Sequence, residues 1–479
     1  MFKRVKHLIF NQGVSTLINL LFAPYLARAM SYEMFGTYGQ AILIIDLFKS
    51  IVISGISQII ITYFDKAISS RPTIIKSLIP IILCVSIFLV ICVLLLKGAI
   101  AYWFNNDILI SVLAIYCLSI PFESFYNILR TILIVENKTS ILVYISTITV
   151  ILKAVLVVIS VQYFNSLNIV FISLVSISIF QMFIGLLLIP KSYIKYGITN
   201  IKLGYKVFKS SIPVGLANLI AFLILYTDGI MISSMLSVDQ YAIYRNGVIE
   251  LPFISIVYTS ICSGVSPEIS KYISEENYEK VVYIKRKIMT HLAVIIYPFI
   301  IFIGFYYSHI IEVYLSIKYI DSGIIFAIFN LTLFVKINQH YDILIYKDKS
   351  RYMLYILGLS FLLNIALNYL LILKFGSIGA VISTVFTITS NAMAYWYFSA
   401  KQINKSLLDF IDIFTVIKVV LLSLFIGLGT LMLDNFLEQM QLFLRLTIIS
   451  VLFFGLYFSL VIILKVIKIQ EIKKALKLR

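Results

Sequence analysis

The stretch "SLIPIILCVSIFLVICVLLL", residues 77–96, carries no charged side chain over its whole length. Wound into a helix at about 1.5 Å per residue, such a run crosses the ~30 Å hydrocarbon core of a bilayer. Runs of this kind follow one another along nearly the whole chain, separated by short polar breaks, so the solvent of this chain is lipid. In lipid every backbone N–H and C=O must be satisfied internally, and segments this long and continuous suit helices rather than barrel strands. Composition agrees: 61% of residues are hydrophobic and 13% charged, where soluble domains approach about a quarter charged. The expected fold class is an all-α polytopic membrane protein of about 14 transmembrane helices. They are placed at 8–29, 38–64, 77–96, 107–135, 141–163, 167–190, 208–236, 241–267, 289–315, 322–346, 352–373, 377–399, 413–433 and 442–466. The first run contains Asn11, Gln12 and Asn19 and extends to about Met30, which reads as a true first span and not a cleavable leader.

An even number of spans puts both termini on one side, and the basic residues say which. Of the 39 Lys and Arg, 28 fall in the N-terminus, alternate loops and C-terminal tail, while only Lys97, Lys318 and Lys374 lie in the opposite loops. The positive-inside rule then makes both termini cytoplasmic in a multi-pass membrane protein. The net charge of +17 is concentrated in segments such as "KSYIKYGITNIKLGYKVFK" and "KVIKIQEIKKALKLR". That pattern serves topology and contact with anionic lipid, so no nucleic-acid partner is expected. Cys84, Cys92, Cys117 and Cys262 are isolated in apolar spans without CxxC spacing and report neither disulfides nor metal.

The chain also repeats itself. A shift of 211 residues lays "ILIVENKTSILVYISTITVILKAVL" (132–156) on "ILIYKDKSRYMLYILGLSFLLNIAL" (343–367), and the next turn, "NSLNIV", meets "GSIGAV". A shift of 206 pairs "MSYEMFGTYGQA" (30–41) with "LSVDQYAIYRNG" (236–247). These matches imply an N-terminal six-helix lobe over 1–190, a cytoplasmic linker over 191–207, a C-terminal six-helix lobe over 208–400, and two additional helices with a basic cytoplasmic tail over 401–479. Halves of six spans share one orientation, so their pseudo-axis runs along the membrane normal, a transporter architecture with its site expected between halves. The symmetry fails in an informative place: Asn364 and Asn368 in one half stand where the other has Lys153 and Val157.

Ionisable side chains inside spans are Arg28, Asp46, Lys49, Glu123, Arg130, Lys153, Asp228, Arg245, Glu250 and Lys336. Each costs about 2.5–3.5 kcal/mol at the bilayer centre when it faces lipid, so most must face a wet cavity or a partner. Arg28 and Arg245 lie near span ends and have a plain reading as snorkelling side chains, and Arg130 shares it, while Asp46 and Lys49 at i, i+3 are placed to pair. Lys153 and Lys336 lie deeper and lack a carboxylate one turn away. Cations lining a cavity suit an anionic head group such as a phosphate or pyrophosphate. Arg28, Arg130, Lys153, Arg245 and Lys336 are therefore the candidate substrate-binding cations, with Asp46, Glu123 and Glu250 as acidic cavity groups.

The stretches "NQGVSTLINLLFAPYLARAMSYEMFGTYGQAILIIDL", "YTDGIMISSMLSVDQYAIYRNG" and "LLNIALNYLLILKFGSIGAVISTVFT" resemble the polysaccharide-transporter (Wzx-type) branch of the multidrug/oligosaccharidyl-lipid/polysaccharide (MOP) exporter superfamily, over about residues 8–400. The resemblance implies a two-lobed, MATE-like flippase that moves undecaprenyl-pyrophosphate-linked oligosaccharides, precursors of O-antigen and lipopolysaccharide, capsule or exopolysaccharide, across a bacterial inner membrane by alternating access. A polysaccharide polymerase and a chain-length regulator are the protein partners it suggests. By similarity to the lipid II flippase branch, a sodium site would fall on Asp228, Asn364, Asn368, Thr384 and the carbonyl of Ala380, with Na+ or H+ as coupling ion and no other cofactor. Oxygen donors of that kind suit a hard monovalent cation. Asn368 stands where that pattern has an acid, which leaves open whether the two amides bind an ion or join helices.

Two other functions compete. A MATE-like exporter of organic cations would favour acidic over basic cavity groups. A membrane glycosyltransferase or polysaccharide polymerase needs catalytic residues, and the outer loops here are short while His7, His291, His309 and His340 are scattered. A transporter and not an enzyme is the expectation.

Overall fold

The structure is a computed structural model, described here for residues 18, 20–66, 71–136, 138–190, 193, 195–337, 341–347, 349–464 and 466. Asn11, Gln12, Asn19, His7, the start of the first expected span, Lys191, Ser192 and Ile194 of the linker, His340 and the basic tail lie outside the described residues.

Among the described residues the chain is helical without strands, and each expected span has a helical counterpart. By length and composition, 9 helices among the described residues are apolar enough to cross a membrane. One of them holds two expected spans. It runs Ser350–Gln402, and its backbone leaves helical geometry at Gly376 (φ 59, ψ −138), a conformation that glycine adopts without steric penalty. The two arms lie side by side, because Ser383 Oγ donates to the Asn364 carbonyl at 3.3 Å. A Cβ on Gly379 would sit 2.0 Å from the Leu371 carbonyl oxygen, so only glycine fits where the arms first meet.

Hydropathy marks the membrane-embedded part of a helix and not its ends. The third expected span, 77–96, is the centre of Arg71–Trp103, and the ninth, 289–315, is preceded by further turns in Tyr278–Tyr314. Helical hydrogen bonding continues into polar sequence wherever no proline or glycine stops it. Conversely, three spans that read as single runs are interrupted. The fourth breaks between Ile108–Tyr116 and Ser119–Val135, the eighth between Val238–Gly247 and Pro252–Ser274, and the tenth between Ser322–Asn330 and Leu333–Lys336; residues 338–340, further along the tenth, lie outside the described residues. Pro252 explains the eighth, since the residue before a proline is driven out of the helical region, and Leu251 has ψ 112.

Contact density divides the chain into two units, Met1–Ala242 and Ile243–Arg479. In the first, Ile201–Met235 packs against Tyr32–Lys66 and Arg71–Trp103. Its start is tied down: Asn200 Oδ1 accepts from the Leu203 amide at 3.0 Å, the Asn200 amide donates to Ser77 Oγ at 2.8 Å, and Lys76 Nζ donates to the Gly197 carbonyl at 3.1 Å.

In the second unit, the core is built where Tyr278–Tyr314 meets Ile413–Phe436 and Leu442–Ile463. Leu292, Ile296, Ile300 and Tyr306 are buried there against Ile426, Ile449, Phe453 and Tyr457. Pro298 lies inside the first of these helices and has no N–H for the Val294 carbonyl four residues back. Tyr457, fully buried on the last helix, donates its hydroxyl to that carbonyl at 2.9 Å. At the end of the same helices Asp434 is held by Arg445, with His309 Nε2 at 3.7 Å.

Candidate functional site

Each unit carries an ion pair inside its spans, built from a lysine and a glutamate on different elements. In the first unit Lys49, on Tyr32–Lys66, is 4% exposed. Its ammonium lies 2.8 Å from Glu123 Oε2 on Ser119–Val135 and 3.6 Å from Asp46 Oδ1 one turn back. It also donates to the Tyr116 hydroxyl at 3.3 Å and sits 4.6 Å from the centre of that ring. Ser178 Oγ, on Leu167–Leu188, donates to the other Glu123 oxygen at 2.9 Å. The expected i, i+3 pair of Asp46 and Lys49 is present, but the shorter contact is to Glu123, which the sequence separates by 74 positions.

In the second unit Lys336 forms a close ion pair with Glu250, and its ammonium is 5.7 Å from the centre of the Phe329 ring. Glu250 sits at a helix interruption, in the four residues between Gly247 and Pro252, and Lys336 is the last residue of Leu333–Lys336. Interrupted helices are allowed at membrane depth only where the freed backbone groups find partners. Here Asn330, fully buried, donates Nδ2 to the Ile249 carbonyl at 3.1 Å, and Tyr297 donates to the Phe334 carbonyl at 3.1 Å. Thus a cation that lacks an acid on its own helix receives one from another. The two pairs occupy related places in the repeat with polarity exchanged. Lysine is on the second span and glutamate on the fourth in one half; glutamate is on the eighth and lysine on the tenth in the other.

The remaining cations differ in setting. Lys153, on Thr139–Phe164, is half-buried, its charge is felt at Asp46, and no hydrogen bond or close ion pair engages it among the described residues. Arg28 and Arg130 are exposed, in keeping with snorkelling, and Arg245 is half-buried at the end of Val238–Gly247.

Asp228 is buried at 8% exposure in the first unit. In the second, Asn364 and Asn368 are 5% and 0% exposed, and Asn368 Nδ2 donates to Asn364 Oδ1 at 3.0 Å. Ala380 is fully buried and Thr384 half-buried on the returning arm. The two amides thus engage each other, while Ser383 on the opposite arm donates to the backbone carbonyl of Asn364. Hydrogen-bonded amides of this kind join packed membrane helices.

Two polar clusters fell outside the sequence-based candidates. Lys285, 7% exposed, binds Asp342 at 2.5 Å, joining Tyr278–Tyr314 to Tyr341–Tyr346. In the inter-repeat linker, Tyr193 donates to Glu136 Oε1 at 2.6 Å, with Arg71 3.5 Å from the same oxygen. Burial and that carboxylate push the Tyr193 hydroxyl above the ordinary tyrosine range. Both clusters join residues remote in sequence, so only an unpaired look at "IKRKIMTHL" could have hinted at the first.

A family model described as polysaccharide biosynthesis protein matches residues 2–272. The chain belongs to that family. Among curated proteins it is 28% identical over 308 residues to an uncharacterized membrane protein of Methanocaldococcus jannaschii, a match that covers 60% of this chain and spans only 57% of that relative. Among solved structures it is similar to the lipid II flippase MurJ in an inward closed conformation, with a TM-score of 0.73 and 17% identity over 97% of this chain and 99% of that one. It is also similar to a multidrug resistance MATE family transporter of the MOP superfamily in an inward-facing conformation, with a TM-score of 0.62 and 11% identity over 81% and 94%. At these identities the likeness establishes the fold: this is a polytopic all-α chain with the MOP transporter architecture.

Proposed function

We propose that this protein is a flippase for undecaprenyl-pyrophosphate-linked oligosaccharides, moving O-antigen, capsule or exopolysaccharide repeat units across a bacterial cytoplasmic membrane by alternating access. The observation that carries the reading is the presence of lysines within spans, Lys336 part-exposed and Lys153 without a close carboxylate, in a chain of the polysaccharide biosynthesis family. A pyrophosphate diester carries about two negative charges near neutral pH, and each charge-assisted contact to it is worth roughly 1.5–3 kcal/mol. Lysine meets such a group as a compact, strongly hydrated point charge on a flexible stem. In this reading two six-helix lobes, 1–190 and 208–400, rock during the cycle, with both termini in the cytoplasm; the sequence repeat and the basic-residue distribution support it. No step of this scheme is routed through a bound sodium ion.

The test is reconstitution into vesicles loaded with fluorescent undecaprenyl-pyrophosphate glycan on one leaflet. Flipping of that lipid, with no transport of organic cations such as ethidium, is the expected result. Cation export without lipid flipping would overturn the proposal in favour of the MATE-like reading.

A further inference from the structure

The two intramembrane lysines are not equivalent. Lys49 is enclosed: its side chain is 6% exposed, and it faces two carboxylates and a hydroxyl. An incoming anion would have to open three helices and replace all three acceptors. Lys336 is 27% exposed and Glu250 25% exposed. Its carboxylate comes from a non-helical segment of four residues, Val248–Leu251, anchored at its ends by the Val248 amide on the Tyr244 carbonyl and by the Ile254 amide on the Leu251 carbonyl, with Glu250 between them. The Ile249 carbonyl is held by the Asn330 side chain and not by a helix.

We infer that Glu250 is an internal stand-in for the substrate's anionic head group: it neutralises Lys336 in the empty carrier and is displaced when a lipid-linked phosphate binds. The inference rests on the anionic-substrate reading above and adds the competitor to it. In the empty carrier an unpaired ammonium within a span would be costly, and the glutamate removes that cost. A pyrophosphate offers more negative charge and more acceptor oxygens than one carboxylate, so it takes over the ammonium, and Glu250 swings away on its flexible segment. Binding is weakened by the lost Lys336–Glu250 contact, which keeps release possible on the far side. The Lys49 cluster has no such role and holds the first unit's helices together.

The experiment measures binding of undecaprenyl pyrophosphate to the full-length protein in nanodiscs, with undecaprenol as the uncharged control. Glu250→Gln should tighten undecaprenyl pyrophosphate about tenfold, the equivalent of roughly 1.4 kcal/mol, and leave undecaprenol unchanged. Lys336→Ala should weaken it, and Glu250→Gln combined with Lys336→Ala should match Lys336→Ala alone, since the competitor matters only through the lysine. Glu250→Asp, with its shorter reach, should tighten binding less than Gln and serves if Gln fails to fold. Unchanged or weaker binding in folded Glu250 variants, with wild-type protein still preferring the pyrophosphate, overturns this inference and leaves the functional reading intact. A wild-type protein that does not prefer the pyrophosphate over undecaprenol overturns both.

Discussion

Lys49→Ala should be among the most destabilising substitutions in the first unit. The lysine is 4% exposed and its removal leaves Glu123, formerly 2.8 Å away, and Asp46, formerly 3.6 Å away, facing each other without a cation. Breaking a fully buried pair by deleting one partner costs about 3–5 kcal/mol; the carboxylates left here are 28% and 42% exposed, so the loss should fall toward or below the lower end of that range. The Lys336–Glu250 pair, whose side chains are 27% and 25% exposed, is reached by solvent at both partners, so deleting its lysine should cost less than deleting Lys49. The assay is thermal or denaturant unfolding of the protein in lipid nanodiscs, comparing Lys49→Ala, Lys336→Ala and the neutral pair Lys49→Met with Glu123→Gln. The double variant should recover more than half of the loss, as coupled partners do in a double-mutant cycle. Equal stability losses at the two lysines, or a double variant as unstable as Lys49→Ala, would refute the claim that burial separates a lock from a binding group.

Tyr457→Phe should cost about 1–3 kcal/mol, because the Val294 carbonyl that Pro298 cannot serve then loses its donor inside the core; unfolding in nanodiscs checks it, and a neutral result would deny the hydroxyl that role. Single cysteines at Tyr196 and Asn277 should react with membrane-impermeant thiol reagents only from the cytoplasmic side, and those at Asn105 and Asp239 only from outside, following the 28-to-3 distribution of basic loop residues. Transport rates independent of sodium are the outcome expected if the bonded amides of Asn364 and Asn368 act only as a seam; a steep sodium dependence abolished by Asp228→Asn in folded protein would establish the ion-site reading.

Hydropathy alone exposes what lipid demands of a chain, and little else. The runs at 77–96 and 167–190 appear as helices at those places because an apolar segment of that length in a bilayer has one way to satisfy its backbone. The Gly376 turn was legible because a tight reversal between spans needs a residue free of Cβ, and the i, i+3 pair of Asp46 and Lys49 because helix geometry is local. The interruptions of the eighth and tenth spans were not legible from the apolar count, since Val248, Ile249 and Leu251 are as apolar as the helices they separate. Pro252 was the available signal. Neither partner of Lys49 or Lys336 across the fold was accessible: Glu123 and Glu250 are 74 and 86 positions away, and only packing sets which carboxylate meets which ammonium. Lys336 therefore looked unpaired in sequence while a glutamate holds it in the fold.

The central claim is that cations within the spans carry an anionic lipid head group, and flipping measured variant by variant tests it most directly. Purified wild type, Lys153→Ala, Lys336→Ala and both Lys→Arg variants, each confirmed as folded by its melting curve, are reconstituted with labelled undecaprenyl-pyrophosphate glycan. Loss of about 1.4 kcal/mol or more of head-group contact predicts that each alanine variant flips at least about tenfold more slowly, and that arginine, which keeps the charge but differs in shape and hydration, retains more activity than alanine. Folded alanine variants that flip the labelled lipid at the wild-type rate would contradict the account.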